Sequence, residues 1–174
     1  TLTLGRERHL SSRDDVRDLA AIAKNLIGRL VGGSCNNPGQ ARRLYEKYIA
    51  PLPDARTMWR FRLYVWSLCP EVFADELRKA FFRGLESDKT LWPVTGGAEY
   101  EQTLKIAFSI LSEPEKQKYI QRAFELLESL DKKHPYGFGI FSSIYDSLSE
   151  EDRNRAEELY GQPLNASFSP GPSI

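Results

Sequence analysis

Met58-Trp-Arg-Phe-Arg-Leu-Tyr-Val-Trp-Ser-Leu68 is the stretch that decides the fold class of this chain. Its apolar residues alternate with arginine and tyrosine, which is the periodicity of a half-buried strand. Trp59, Leu63 and Trp66 also recur at steps of four and three residues, which is the periodicity of a helix. Because every neighbouring segment has a helical pattern, a lone strand would leave its backbone groups without hydrogen-bond partners. The sequence therefore predicts a helix here and an all-α fold.

Seven further segments on either side of this stretch have helical periodicity. They cover residues 12–30, 37–49, 75–86, 100–111, 112–130, 140–148 and 149–161. Several begin with a recognisable cap. One of these caps is Asn37, which precedes a proline, and others are serines that are followed three residues later by an acid. The run His134-Pro-Tyr-Gly-Phe-Gly139 contains one proline and two glycines, and we expect it to break the chain before the seventh helix.

Three junctions between these helices resemble one another. Each ends a helix on leucine (Leu68, Leu111 and Leu148) and opens the next with an acid, at separations of 43 and 37 residues. A helix pair every 40 to 47 residues or so resembles the HEAT/armadillo class of repeats. Over residues 12–161 the resemblance implies about four antiparallel helix pairs stacked as a short α-solenoid that shares one core. The alternative is an irregular helical bundle, since serine and acids are common at any helix start.

Composition and charge argue against a disordered protein, a protein whose overall charge attracts a polyanion, and a membrane-spanning protein. Of the 174 residues, 41% are hydrophobic and 28% are charged, which is typical of a globular domain. The 24 basic and 24 acidic residues give a formal net charge of zero, so no overall field attracts a polyanion. No stretch approaches the roughly 18 apolar residues that a membrane-spanning helix needs. We assign residues 1–11 to an N-terminal arm, 12–161 to the helical repeat domain and 162–174 to a flexible Ser/Pro/Gly-rich tail or linker.

Residues that could carry catalysis or bind a metal do not form a recognisable constellation. His9 and His134 lie far apart in the sequence, and the acidic groups stand at helix starts, where they relieve the helix dipole. Cys35 and Cys69 are 34 residues apart without a CxxC motif, and we expect two inert thiols. The sequence therefore predicts no catalytic residue, no metal site, no cofactor and no enzymatic activity of its own.

The distribution of charge indicates a candidate binding surface. Residues 1–89 carry a balance of +5 and residues 90–174 a balance of −5. Arginine beside aromatic residues is typical of protein hot spots and of nucleic-acid grooves. The partner-binding residues predicted on this basis are Arg42, Arg43, Arg56, Arg60, Arg62, Tyr64 and Trp66. The alternative interpretation places the aromatic residues in the core and the arginines on a solvated face.

From these features the sequence predicts a non-catalytic helical-repeat module of a larger, cytoplasmic protein. Its partner would be another protein, another domain of the parent chain or a second copy of itself, and not a membrane. RNA or DNA binding by the basic half is one alternative, and an accessory helical domain of an enzyme is another. The loop Trp92–Gly97 and the turn Pro135–Gly139 are second-choice contact sites, because loops on a rigid scaffold often carry contacts. The first residue is threonine, which indicates a processed product or a piece of a longer protein.

Overall fold

The computed structural model describes residues 12–86, 98–129 and 135–164, and over these residues the chain is all-α. It contains there eight α-helices: α1 (Ser12–Gly32), α2 (Pro38–Tyr48), α3 (Arg56–Leu68), α4 (Ala74–Gly84), α5 (Ala98–Ala107), α6 (Glu113–Ser129), α7 (Pro135–Ser143) and α8 (Glu150–Tyr160). Two short 3-10 turns, Phe108–Ile110 and Tyr145–Ser147, follow α5 and α7. The prediction of an all-α chain is confirmed for these residues. None of the described helices is both long and apolar enough to cross a membrane.

Helix α3 is the segment whose periodicity was ambiguous. It contacts α1, α4 and α5, so neighbours surround much of its circumference. Leu63, Val65 and Trp66 are buried, while Phe61 and Tyr64 are partly buried against the core. A helix covered on several sides needs apolar residues on several faces. The strand-like alternation is therefore the pattern of a central helix.

Two of the predicted helix caps, Asn37 and Ser149, are present. The Asn37 side-chain oxygen accepts a hydrogen bond from the backbone N–H of Gln40 at 3.2 Å, with Pro38 in the first turn. Ser149 Oγ accepts from the N–H of Asp152 at 3.1 Å. These bonds satisfy amide donors that have no partner within the helix.

Two of the three similar junctions share one backbone geometry. Leu111 and Leu148 each follow a 3-10 turn in an extended conformation, with φ/ψ of −71°/138° and −81°/140°. The junction at Leu68 is different, because α3 continues to Leu68 and the next helix begins only at Ala74, without a side-chain cap.

The odd-numbered helices contact one another in chain order. Helix α1 contacts α3, α3 contacts α5, and α5 contacts α7. Helices α2, α4 and α8 pack against α1, α3 and α7 in turn, and α6 also contacts α7. Buried aromatic rings fill the space between them, and Tyr100 and Tyr119 share a 2.9 Å hydrogen bond between their hydroxyls.

The expected break at residues 134–139 is wrong, because α7 begins at Pro135 and runs through both glycines. Proline is tolerated in a first helical turn. A side chain at Gly137 would collide with the Tyr160 hydroxyl and the Leu127 methyl groups, and one at Gly139 would collide with the Glu101 carboxylate. These glycines therefore serve close packing and do not form a turn, so Pro135–Gly139 is the start of a helix and not a contact loop. The loop Trp92–Gly97 lies outside the described residues.

The expectation of two inert thiols is also wrong, because Cys35 and Cys69 form a disulfide. Their Cα atoms lie 5.4 Å apart, within the range that a disulfide spans. The bond joins the loop after α1 to the end of α3. Contact between α1 and α3 brings these two points together, which a separation of 34 residues does not reveal.

The packed domain extends slightly beyond residue 161. Leu164 is buried, its carbonyl accepts a hydrogen bond from Ser142 Oγ at 2.9 Å, and its N–H donates to Glu157 at 3.1 Å. The tail that we predicted from residue 162 therefore begins with a docked segment. Residues 1–11 and 165–174 lie outside the described residues.

Removing the disulfide should destabilise the fold. Replacing both cysteines with alanine, Cys35→Ala with Cys69→Ala, should lower the free energy of unfolding by about 3 to 4 kcal/mol, the loop entropy expected for a closed ring of this size. Urea denaturation of the purified proteins measures the loss. Reductant should produce a similar loss in the wild type and none in the double variant. The four samples are the wild type and the double variant, each with and without reductant. Equal stability of all four would show that the disulfide does not contribute to the free energy of unfolding.

Close packing at Gly137 should make it intolerant of a side chain. Gly137→Ala should lower the free energy of unfolding by about 1 to 3 kcal/mol, because the Leu127 methyl groups are buried and cannot move away freely. The matched control is Gly32→Ala at the end of α1, where an added methyl group meets nothing within 4 Å. That change should be neutral or stabilising by up to about 1 kcal/mol. An unchanged free energy of unfolding in Gly137→Ala would contradict this close packing around Gly137.

Candidate functional site

An apolar groove lies between α1 and α3 and is the main candidate site; we call it the α1–α3 groove. Its volume is about 480 Å³. The apolar walls come from α1, the end of α2, the loop after it and α3, through Ile27, Tyr48, Leu52, Met58, Phe61 and Tyr64. Apolar walls that remain open to solvent are typical of surfaces that bind a partner.

Three charged side chains also line the α1–α3 groove. Arg60 donates from Nε to the Glu99 carboxylate at 2.7 Å. Lys24 places its ammonium 3.9 Å from the other Glu99 oxygen and 4.6 Å from the centroid of the Tyr64 ring. Two cations share one carboxylate, so the groove carries one unbalanced positive charge. A ligand that fits it would combine an apolar body with an acidic group.

Of the seven predicted partner-binding residues, Arg60 and Tyr64 line the α1–α3 groove. Arg43 is exposed on α2, where its Nε donates to the carbonyl of Gly39 at 3.1 Å. Arg56 is the first residue of α3, and its side chain lies outside the described residues. The structure therefore brings together two members of the predicted set.

Arg62 and Trp66 are placed inside the fold. Arg62 is 9% exposed and donates to the carbonyl groups of Ala50 and Leu52, which fastens α3 to the loop before it. Trp66 is 4% exposed, and its ring lies 6.0 Å from that of Tyr45. Burial removes both side chains from any surface that a partner could contact.

Arg42 also has a structural role. It forms an ion pair with Glu76 on α4, donates to the carbonyl of Val72 at 2.6 Å, and lies 5.0 Å from the centroid of the Phe73 ring. Hydrogen bonding to Glu76 raises the pKa of Arg42 against the opposing effect of burial. Its charge is therefore used to hold α2 against α4.

Sequence reasoning missed the apolar walls of the α1–α3 groove. Tyr48 and Ile27 follow the same helical stripes as buried residues, and nothing in the periodicity separates them from the core. Leu52 stands between two prolines, where no helical pattern applies. Exposure of these side chains depends on how α1, α2 and α3 pack against one another, which the sequence pattern does not contain.

A second open cavity, of about 620 Å³, lies beside the disulfide. Cys35, Cys69, Pro70 and Ile106 contribute to its walls, and Glu71 is its one ionisable lining group among the described residues. No group of three or more His, Cys, Asp or Glu side chains in the described ranges could hold a metal ion. The cavity brings together no set of groups that could share acid–base chemistry.

Glu101 is a carboxyl group placed against α7. It lies on α5 beside Gly139, whose missing side chain leaves room for the carboxylate. Burial raises the pKa of Glu101 above its ordinary value of 4.5. The folded state therefore holds this proton more strongly than the unfolded state does.

The raised pKa of Glu101 predicts a specific pH dependence. As the pH rises from about 4 through the folded pKa, ionisation penalises the folded state, and stability falls. Glu101→Gln removes this penalty, so the variant should melt at a higher temperature than the wild type at pH 7, and the gap should shrink toward pH 4. Glu71→Gln, which changes an exposed carboxylate, is the control and should give no such gap. A gap that is constant with pH would contradict the assignment.

Similarity to known proteins does not supply a function for this arrangement. The chain matches no protein-family model, no curated protein and no solved structure. A function can therefore be inferred only from its own side chains.

Proposed function

We propose that this chain is a non-catalytic helical module that binds another protein through the α1–α3 groove. The observation that carries the proposal is the groove itself, with apolar and aromatic walls and one unbalanced positive charge among Lys24, Arg60 and Glu99. Aromatic residues and arginine at the centre of a surface are typical of binding hot spots. The partner is a separate protein or another domain of the parent chain.

The groove favours a particular kind of partner segment. An amphipathic helix places apolar side chains at i, i+3, i+4 and i+7 on one face, which suits an elongated apolar groove. An aspartate or glutamate on that helix would balance the surplus charge of Lys24 and Arg60. We therefore expect an acidic amphipathic helix as the bound segment.

The arrangement of helices supports a HEAT-like α-solenoid as the scaffold of this module. The successive contacts of α1, α3, α5 and α7 are those of one layer of a solenoid, and the junctions at Leu111 and Leu148 repeat one geometry. The different junction at Leu68 supports the alternative, an irregular bundle. Stacked helix pairs present extended surfaces, which suits a binding function.

Two other functions receive less support. Nucleic-acid binding needs free cations, whereas Arg42 and Arg62 are bonded within the fold and Arg60 pairs with Glu99. An accessory domain of an enzyme would take its chemistry from outside this chain, and neither cavity described here favours it.

The disulfide bears on where the protein acts. The cytoplasmic location predicted from the sequence requires reduced thiols, because the cytosol keeps most cysteines reduced. The Cys35–Cys69 bond instead supports an oxidising compartment. We therefore propose that the binding function is exerted in such a compartment.

A selection of helical peptides displayed on phage against the folded chain tests the binding function. Wild-type protein should select peptides with apolar residues at helical spacing and at least one acid. Arg60→Glu should weaken these peptides by about tenfold or more, equivalent to about 1.4 kcal/mol. Tyr48→Ala, which removes a groove wall, should have a similar effect.

Arg43→Glu is the matched control, since it reverses an exposed charge on the basic half outside the groove. It should leave peptide affinity unchanged. The pair between Arg60 and Glu99 is only partly exposed, so Arg60→Glu should cost about 1 to 2 kcal/mol of stability. Equal loss of affinity in Arg43→Glu and Arg60→Glu would refute the groove as the site. Tight RNA binding that falls steeply with salt would favour the nucleic-acid alternative.

A further inference from the structure

The disulfide lies in the wall of the second cavity, the open one of about 620 Å³. Its two sulfur atoms belong to residues that differ in exposure. Cys69 is 4% exposed and is part of the buried core, whereas Cys35 is partly exposed in the loop after α1. They are the only two cysteines of the chain. A small molecule that enters the cavity from solvent therefore reaches the bond from the Cys35 side.

The fold also offers hydrogen-bond acceptors to the two thiols that reduction would produce. The carbonyl oxygen of Val31 lies 3.6 Å from Cys69 Sγ. The carbonyl oxygen of Leu68 lies 3.3 Å from Cys35 Sγ. A thiol is a weak donor, and each of these oxygen atoms can accept its proton. The reduced pair therefore finds polar partners at positions that the folded chain already supplies.

Contacts other than the disulfide hold the elements on either side of it. Val31 and Ser34 are buried just before Cys35. Phe73 is buried just after Cys69, and α1 contacts both α2 and α3. In the chain-entropy account, the stability that a disulfide adds comes mainly from restricting the unfolded chain. Opening the bond should therefore leave the folded arrangement of the helices in place.

We propose that Cys35 is a site of reversible thiol–disulfide exchange with small thiols in the folded protein. The incoming thiolate attacks Cys35 Sγ and forms a mixed disulfide, while the bond to Cys69 breaks and Cys69 leaves as a thiolate that takes up a proton. A second small thiolate then attacks the mixed disulfide and releases the thiol of Cys35. Two small thiols are thereby oxidised to one disulfide, and the protein gains two electrons and two protons.

The exchange goes beyond the proposed binding function and does not rest on it. It requires only the bond, the cavity beside it and a small thiol as reductant. In an oxidising compartment the bond stays closed, and a rise in thiol concentration opens the ring that contains α2 and α3. The chain then responds to the thiol content of its surroundings without unfolding.

The dependence of the reduction rate on urea tests whether the folded protein reacts. The oxidised chain is incubated with β-mercaptoethanol at about pH 8, where much of a thiol is present as thiolate. The reaction is quenched with acid, and the remaining disulfide is measured by mass spectrometry. Exchange in the folded state should proceed at the same rate between 0 and about 1 M urea, whereas exchange through global unfolding should accelerate about tenfold or more. A steep acceleration would overturn the proposal.

Mass spectrometry of the quenched intermediate identifies the sulfur that is attacked. The mercaptoethanol adduct should lie predominantly on Cys35, and the alkylated thiol of the same molecule should lie on Cys69. Equal modification of the two cysteines, or an adduct mainly on Cys69, would contradict the assignment.

A pair of matched variants tests access through the cavity. Ile106→Trp places a large side chain in the cavity wall and should slow the exchange by about threefold or more, because access to the sulfur limits the rate. Ile22→Trp is the control, since Ile22 is similarly exposed but does not line this cavity. It should react at the wild-type rate. Circular dichroism should show the same helical spectrum for both variants, and equal rates in the two would refute entry through the cavity.

Discussion

The enclosure of α3 is the constraint on which the rest of the structure depends. This helix contacts α1, α4 and α5, and it carries buried side chains on more than one face. Arg62 fastens it to the preceding loop, and the disulfide fastens its last turn to the loop after α1. The groove is lined by side chains of α1 and α3, and these two helices contact one another and are linked near their ends by the disulfide. The same helix therefore holds the core together and supplies one wall of the groove.

Periodicity was sufficient to predict seven of the helices, because a stripe of apolar residues at steps of three and four is a local property. Helix α3 needed the further argument that a lone strand would leave its backbone groups without partners. The start of α7 could not be predicted this way. Gly137 and Gly139 have the composition of a turn, and only their contacts with Leu127, Tyr160 and Glu101 explain why they lie within a helix. The disulfide was missed for the same reason, since proximity of two distant residues is a property of packing.

The candidate site was only partly predictable. Arginine beside aromatic residues directed attention to α3, and Arg60 and Tyr64 of that helix line the groove. The same composition also describes a buried anchor, as Arg62 and Trp66 show. In the sequence, an arginine that donates to backbone carbonyls cannot be distinguished from one that faces solvent, because both are the same residue type in the same alternating pattern. Exposure, which separates them, depends on the loop between α2 and α3 and not on the pattern within α3.

The Cys35–Cys69 bond has a consequence for the integrity of the α1–α3 groove. It closes a covalent ring that contains all of α2 and α3, and the walls of the α1–α3 groove come from inside this ring and from α1 just before it. A protease that cuts the exposed segment between α2 and α3 would nick the ring without separating the two pieces. Ile27 and Phe61 would remain parts of one molecule until a reductant released them. Cleavage in an environment rich in proteases would therefore leave the two sides of the groove tethered to one another.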